Sequence, residues 1–389
     1  MKALHKGIVA LIKSAMTGEA SALPEGFELS AALPLIKKHH IVTMAYEGAV
    51  KCGIPQSDPT VKTLFSAYYT LLTASERQAA MLGKLVSAFD ENEIDYMLLK
   101  GSNLRSLYPR PELRYMGDAD VLIKTDQYDR IKPIMLSLGF AEGVESDHEL
   151  VWRGGGLMVE LHKRLIPSYN KDFYAYFGEG WQNARLDAGT RYTMSAEDEM
   201  IYLFTHFAKH YRDGGVGCRY VADLDLYREA HPELDGEYIA SVLGRIYLDR
   251  FYENVMRTVD AWFCGGDEDE VTEIITEFIF ASGSWGSVDS KLIAREVKEL
   301  KHSPKMMSSK MSYIVRMLFP SVAALSPKYT VLKKAPWLLP AVWVIRPFYK
   351  LFFERGAFKR QKRNLKVIND KSVAERKEAL NAVGIDFNF

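Results

Sequence analysis

The chain has 389 residues, with 50 Lys and Arg against 50 Asp and Glu, and 48% of its residues are hydrophobic. This composition is that of a globular protein, and it excludes disordered and fibrous classes. The balanced charge excludes the global positive field that drives non-specific nucleic-acid binding, so any such contact must be local. Three widely spaced cysteines without a CxxC pair argue against a disulfide framework or a zinc site and favour a reducing cytoplasm.

The N-terminal region, residues 1–85, is predicted to be helical because its apolar residues recur at helical spacing. A long helix is predicted over Ala67–Asn92. It is followed by a short apolar run, Ile94–Leu99, that is typical of a buried strand. No stretch of eighteen apolar residues occurs, so no membrane-spanning helix is expected.

The middle region, residues 86–190, mixes strand and helix patterns. A strand is predicted over Ala119–Ile123 and a helix over Tyr128–Leu138, although a proline interrupts the helix pattern. Two further strands are predicted over Glu149–Arg153 and Leu157–Leu161. They flank the triple glycine 154–156, whose access to positive φ suits a tight hairpin turn.

The C-terminal region, residues 191–389, is again predicted to be helical, and Ser195 is the candidate N-cap of its first helix. Near its end, the segment 335–363 combines Trp, Phe and Leu with a basic run. This composition is compatible with peripheral contact with a membrane, and it fits packing on the core or contact with a partner equally well. Prolines at 336, 340 and 347 are expected to interrupt a single long helix there.

Two carboxylates, Asp118 and Asp120, stand two residues apart at the start of the predicted strand 119–123. Alternate side chains of a strand point to one face, so both can reach the same cation. Glu160 lies inside an apolar strand, where a carboxylate is costly to bury unless it is paired or binds a cation. If the two strands are neighbours, the three carboxylates converge into a site for Mg²⁺ or Mn²⁺.

A phosphate-binding segment is predicted upstream, where Gly101 and Ser102 follow a strand and open a helix. Backbone N–H groups at a helix start and the Ser102 hydroxyl are able to receive a triphosphate, and Gly101 permits close approach. Lys100, Arg105 and Arg114 add positive charge to this predicted nucleotide-binding region.

This combination of Gly101-Ser102, Asp118-x-Asp120 and a strand-borne Glu160 resembles the signature of the polymerase-β-like nucleotidyltransferase superfamily. More narrowly, the runs LLKGSNLRSLYP, LRYMGDADVLI and MVELHKRL resemble the bacterial family described as uncharacterised nucleotidyltransferase. The resemblance implies an α+β fold, with a small mixed sheet flanked by N-terminal and C-terminal helical regions. Two features depart from the superfamily pattern: the longer gap between Ser102 and Asp118, and Glu160 in place of the commoner Asp. Both departures affect how many metal ions the site is expected to hold.

His206, Lys209 and His210 form a second group, in which the two histidines stand four apart on one helix face. The resemblance implies that they line the nucleotide or acceptor side, whereas the residues alone fit a structural helix face equally well. The Glu of a zinc-protease motif is absent from this pair. His162 shares a strand face with Glu160 and is either a supporting group or a structural one.

The expected function is metal-dependent transfer of a nucleoside monophosphate from an NTP to an unidentified acceptor, with release of pyrophosphate. In that scheme, Asp118, Asp120 and Glu160 are catalytic and hold the metal, while Gly101 and Ser102 hold phosphates. Kinase-like phosphoryl transfer and toxin-type modification of transfer RNA are alternatives on the same fold. A non-catalytic nucleotide-binding scaffold is the alternative from another class.

Overall fold

A computed structural model describes residues 1–300, 308–326, 329–353 and 355–385. The contacts divide the described chain into two compact units. Unit 1 comprises Met1–His210, Val216–Ser284 and the C-terminal stretch from Val383, and unit 2 comprises Tyr211–Gly215 and Trp285–Ala382. The three regions expected from the sequence, 1–85, 86–190 and 191–389, stay a prediction.

The helices of unit 1 come before, within and after a sheet. They are α1 (Ala3–Thr17), α2 (Leu29–Lys38), α3 (Val42–Lys51), α4 (Pro59–Glu91), α5 (Gly101–Leu104), α6 (Tyr128–Ser137), α7 (Lys171–Phe177), α8 (Ala196–Arg212, whose last two residues belong to unit 2), α9 (Cys218–Ala230), α10 (Gly236–Arg245), α11 (Asp249–Val259) and α12 (Glu270–Ser282).

The strands of unit 1 form one seven-stranded sheet. They are β1 (Tyr96–Leu99), β2 (Ala119–Ile123), β3 (Ala141–Glu145), β4 (Glu149–Gly154), β5 (Leu157–His162), β6 (Arg185–Ala188) and β7 (Arg191–Thr193). Their order across the sheet is β3-β4-β5-β2-β1-β7-β6. The pairs β2/β5 and β1/β7 are parallel and the other neighbours are antiparallel, so the sheet is mixed. The expected α+β class with a mixed sheet is confirmed.

The predicted hairpin is present, and its turn consists of two glycines. Gly154 pairs with Leu157, which leaves Gly155 and Gly156 as the turn, with φ of 57° and 80°. Positive φ at both central residues is the requirement of a tight hairpin turn whose twist matches that of the strands. The turn therefore sets the register of β4 on β5.

Helix α4 begins earlier than the sequence pattern predicted, because its start is capped. The Asp58 side chain accepts hydrogen bonds from the N–H groups of Thr60 (2.6 Å) and Val61 (3.1 Å), and Pro59 occupies the first helical position. Both features favour a helix start. The predicted cap of α8 is confirmed, since the Ser195 hydroxyl accepts from the Asp198 N–H at 3.1 Å.

The core beside the sheet is made by the inward faces of α4, α6 and the central strands. Phe89, Ile131, Trp152 and Val159 are among its fully buried members. Complete burial of such side chains stabilises each by about 1.5–3 kcal/mol relative to exposure. This packing fixes β2 and β5 beside each other.

A buried histidine links the N-terminal helices to α9 and α12. His39 follows α2 and is completely buried, and its Nδ1 accepts a hydrogen bond from the Cys218 N–H at 3.2 Å. Its Nε2 lies 3.4 Å from the Phe280 carbonyl oxygen. Burial lowers the pKa of His39 to about 4, so the imidazole is neutral at physiological pH.

Unit 2 is helical. Its elements are α13 (Val288–Leu300), α14 (Ser309–Leu318), α15 (Val322–Leu325), α16 (Val331–Lys334), α17 (Leu339–Phe353), α18 (Arg355–Val367) and α19 (Asp370–Ala382). The segment 335–363 thus forms one 3₁₀ turn, all of α17 and part of α18, and its residue 354 lies outside the described residues. Among the described residues, no helix has the length and apolar character needed to cross a membrane.

Candidate metal and nucleotide site

Three side chains meet where β2 and β5 run side by side. Asp120 on β2 is directly opposite Glu160 on β5 in the parallel register. His162 follows Glu160 by two residues and therefore lies on the same face of β5. The condition set by the sequence, that the hairpin strand lies beside the Asp120 strand, is met.

The distances in this group are those of a ligand cluster. His162 Nε2 lies 2.8 Å from Asp120 Oδ1 and 3.7 Å from Glu160 Oε2. One ligand atom from each of the three residues lies within 4.8 Å of the others. Asp120 and His162 are buried, at 5% and 2% exposed, whereas Glu160 keeps part of its surface in solvent. The group is thus anchored in the sheet and open on one side.

The hydrogen bonds of His162 define its role. Burial lowers the pKa of His162, so the imidazole is neutral and carries one proton. Its Nδ1 is buried and has no hydrogen-bond partner among the described residues, which places the proton on Nε2. His162 therefore donates to Asp120 and fixes the orientation of that carboxylate, as groups behind metal ligands commonly do.

Burial and neighbouring charges move the pKa values of Glu160 and Asp120 in opposite directions. Burial and then the negative charges of Asp120 and Asp118 raise the pKa of Glu160 to about 8. Burial opposes the charge of Asp120 too, but Lys100 and His162 bring its pKa well below the usual range. A cation between these oxygens would relieve the repulsion, so the residues fit a divalent metal that prefers oxygen ligands.

Asp118 lies one residue before β2 and is not a member of the three-residue group. Burial and the charge of Asp120 raise its pKa, which shows that the two carboxylates interact. Its assignment as a metal ligand stays a prediction from the two-residue spacing.

Lys100 directly follows β1 and supplies positive charge to the carboxylates. Its ammonium lies 2.9 Å from Asp120 Oδ1, and its side chain is only 13% exposed. Burial opposes the charge, yet Asp120 raises the pKa of Lys100 well above the usual value. The residue has a φ of 46°, a conformation that costs a non-glycine residue about 1–3 kcal/mol and that concentrates at functional sites.

Gly101 follows immediately and opens α5. A Cβ at this position would lie 2.5 Å from Arg114 Nη1, so the guanidinium packs directly on the glycine. Arg114 cannot easily move, because its Nε and Nη2 donate to the two oxygens of Asp223 at 2.7 and 2.8 Å. Asp223 also accepts from the Tyr108 hydroxyl at 2.7 Å. The structure thus gives Arg114 a fixed protein partner and leaves Nη1 facing Gly101.

The next residue, Ser102, has a hydroxyl group whose hydrogen-bonding capacity the described residues do not use. Among the described residues, the buried Ser102 Oγ has no partner. Leaving a buried hydroxyl unpaired costs about 1–3 kcal/mol, and such a group calls for an explanation. Arg105 differs, because its guanidinium contacts the Ser75 hydroxyl and the Pro111 carbonyl oxygen, and burial lowers its pKa. These contacts do not explain the nucleotide-binding role that the sequence predicted for Arg105.

Helix α8 places a further group of polar side chains near Lys100. His206 Nε2 lies 3.1 Å from His210 Nε2, and burial together with the nearby Lys100 charge brings the pKa of His206 well below its usual value. Lys209 is half-buried on the same helix and also acts on His206. The structure thus brings His206 to Lys100, and places Lys209 and His210 beside His206.

Tyr202 was not among the site residues predicted from the sequence. It lies one turn before His206 on α8. It is completely buried, burial raises its pKa above the usual range, and the Lys100 ammonium opposes part of that rise. The signal was available, since a spacing of four places Tyr202 on the helix face that carries His206.

The comparison with protein families agrees with this geometry. The family model described as "Uncharacterised nucleotidyltransferase" matches residues 25–264, which is more than half of the chain and includes the whole sheet. The chain belongs to this nucleotidyltransferase family. The resemblance noted in the sequence is thereby confirmed at the level of the family. Neither the curated proteins nor the solved structures searched contain a match to the chain.

Proposed function

We propose that this protein transfers a nucleoside monophosphate from an NTP to an acceptor hydroxyl and releases pyrophosphate. The observation that carries the proposal is the pairing of Asp120 with Glu160 across β2 and β5, with Gly101 and Ser102 at the adjoining end of β1. Family membership supports the reaction class. The assignment to the polymerase-β-like superfamily is part of the same proposal.

Asp118, Asp120 and Glu160 would hold the metal, Mg²⁺ or Mn²⁺, since their oxygens suit these cations. When bound, the metal supplies charge stabilisation of the phosphates and of the leaving pyrophosphate. His162 keeps the Asp120 carboxylate in place through its Nε2–H. Glu160 is the candidate base for the acceptor hydroxyl, because its partly exposed carboxyl group lies directly opposite Asp120 in the group that would hold the metal.

The phosphates would contact the start of α5. The unpartnered Ser102 Oγ and the backbone N–H groups there are donors, and Gly101 allows close approach. Arg114, held by Asp223, presents Nη1 beside Gly101 and adds a fixed positive charge. His206, Lys209 and His210 remain assigned to the nucleotide or acceptor side, and a role for Arg105 in nucleotide binding is retained at the same level.

A cytoplasmic location is part of the proposal. The three cysteines, Cys52, Cys218 and Cys264, are all unpaired, as expected in a reducing compartment.

Labelled nucleotides test the reaction. The purified protein is incubated with Mg²⁺ or Mn²⁺, a cell extract and each NTP, labelled either on the α- or on the γ-phosphate. Transfer of the α label to an acceptor is the expected result, whereas transfer of the γ label alone would identify phosphoryl transfer. Glu160→Gln should abolish labelling, and Glu47→Gln on α3 is the matched control, with 17% of its side chain exposed against 19% for Glu160.

Calorimetry of NTP binding provides the result that would contradict the proposal. The proposal is wrong if the protein binds no NTP in the presence of either metal, or if Glu160→Gln transfers the α label as well as the wild type does.

A further inference from the structure

The charge of the whole chain is balanced, but basic and acidic residues are distributed unevenly along the sequence. Residues 285–382 contain 21 Lys and Arg against seven Asp and Glu, which leaves 29 against 43 in the rest of the chain. Between Glu299 and Glu354 there are nine Lys and Arg and no acidic residue. The segment that builds most of unit 2 is therefore strongly basic, and it is a candidate for contact with an anionic partner.

The same segment exposes apolar side chains. Eleven of the nineteen large hydrophobic residues that are exposed in the described part of the chain lie between Trp285 and Tyr349. Single exposed apolar residues are ordinary, but a contiguous set marks an interaction site.

Six of these residues form what we call the apolar patch. On α14, Val315, Leu318 and Phe319 follow one another at helical spacing, on one face and at the end of the helix. On the 3₁₀ turn and α17, Trp337, Val344 and Ile345 are 77%, 65% and 62% exposed. Trp337 and Val344 are seven residues apart, which is two helical turns.

Direct contacts join the two halves of the apolar patch. The ring of Phe319 lies 5.2 Å from that of Trp343, one residue before Val344. Trp343 Nε1 donates to the Pro320 carbonyl oxygen at 2.9 Å, and Arg346 Nη1 donates to the Met317 carbonyl oxygen at 2.8 Å. The end of α14 is thus held against α17, so the two groups of exposed apolar side chains lie on helices that contact each other.

Basic side chains adjoin the apolar patch. Lys333 and Lys334 are exposed at the end of α16, three residues before Trp337, and Lys310 is exposed at the start of α14. Trp and aliphatic side chains beside Lys and Arg are the composition of helices that lie in the headgroup region of a membrane. Each basic group near an anionic leaflet strengthens binding by roughly fivefold.

We propose that unit 2 binds the surface of an anionic phospholipid membrane through the apolar patch and the lysines beside it. A nucleic acid would use the positive charge but not the exposed Val344 and Ile345. A second copy of this surface would repel it. An anionic bilayer matches both features, and no spanning helix is needed, in agreement with the lack of one among the described residues.

Co-sedimentation of the full chain with vesicles tests the proposal. Vesicles containing phosphatidylglycerol should bind the protein, pure phosphatidylcholine vesicles should bind it much less, and high salt should weaken binding. The combined change Trp337→Ser, Val344→Ser and Ile345→Ser should reduce binding by at least about tenfold, since each methylene withdrawn from lipid costs about 0.8 kcal/mol. Its control is Tyr69→Ser with Val144→Ser, at positions of unit 1 that are 65% and 71% exposed.

A charge variant keeps the test independent of the apolar one. Lys333→Gln with Lys334→Gln should weaken binding to anionic vesicles by roughly fivefold per charge, whereas Lys62→Gln with Lys84→Gln, two exposed lysines of α4, should not. Thermal melting confirms that each variant is folded.

The proposal is overturned if anionic and neutral vesicles bind equally, or if both control variants lose binding as the patch variants do. Binding to RNA without binding to vesicles, or self-association in place of vesicle binding, would overturn it as well. NTP labelling is not used as a readout, so failure here is separate from failure of the proposed reaction.

Discussion

Replacing Glu160 with Gln should make the metal-free protein more stable and at the same time prevent it from responding to Mg²⁺. The carboxyl group pairs across the sheet with Asp120, and burial and three neighbouring carboxylates, those of Asp120, Asp118 and Glu149, raise its pKa from 4.5 to about 8. Its ionised form is therefore destabilised in the folded protein, although it is the form that binds a cation. Gln keeps the size of the side chain and removes the charge.

The sign and size follow from proton linkage. Between pH 4.5 and about 8, the folded protein holds a proton on Glu160 that the unfolded chain has released, so the wild type loses stability as pH rises through this window. At 1.36 kcal/mol per tenfold change in proton affinity, the full penalty is at most about 5 kcal/mol. Because 19% of the side chain is exposed, solvent screening reduces the expected gain for Glu160→Gln to about 2–3 kcal/mol above pH 8.

Urea unfolding in the presence of a chelator, at about pH 5 and about pH 9, measures this difference. The stability advantage of Glu160→Gln should be near zero at the lower pH and reach its maximum at the higher one. Glu268→Gln is the control with the opposite sign: burial opposes the charge of Glu268, but the Lys6 ammonium at 2.8 Å lowers its pKa, so its charge stabilises the fold. Saturating Mg²⁺ should then stabilise the wild type but not Glu160→Gln. An advantage that does not change with pH, or equal stabilisation of both proteins by Mg²⁺, would refute the reasoning.

Two further predictions concern fixed side chains of unit 1. Gly101→Ala should cost about 1–3 kcal/mol and weaken NTP binding, because the new Cβ meets the immobilised Arg114 guanidinium. Gly83→Ala, on a helix and with open space around it, should stabilise by about 0.5–1 kcal/mol, and equal effects of the two changes in urea unfolding would contradict this account. Because His39 is buried, the free energy of unfolding should fall by up to about 3 kcal/mol as pH falls from 6.5 to 4. In this range the unfolded chain binds a proton that the imidazole of the folded protein does not bind. Thermal melts of His39→Gln should lack most of that dependence, and an unchanged pH profile would count against it.

Most central elements of the sheet could be predicted from the sequence. The strand Ala119–Ile123 was located as the structure has it, and the two hairpin strands differ from their predicted ends by one residue each. These strands are apolar and bounded by turn residues, so local pattern carries the information. Strands β3 and β6 were missed because all of their residues are exposed, and β7 because it has only three residues, all of them half-buried.

The sequence by itself also supplied the candidate residues of the site, whose chemical roles stay a prediction. It identified Asp120 and Glu160 by spacing and by the cost of a carboxylate in an apolar strand, and Gly101 and Ser102 by their place between a strand and a helix. These are properties of neighbouring residues, and they do not depend on how the chain folds back.

Only the tertiary structure decided which groups meet. The parallel pairing of β2 with β5 makes His162 the third member of the close group in place of Asp118. The ion pair of Arg114 with Asp223, 109 residues away, fixes the position of a guanidinium for which the sequence predicted only a positive charge. Such contacts are long-range, and a one-residue change of strand register would reverse the face of every side chain, so local pattern cannot specify them.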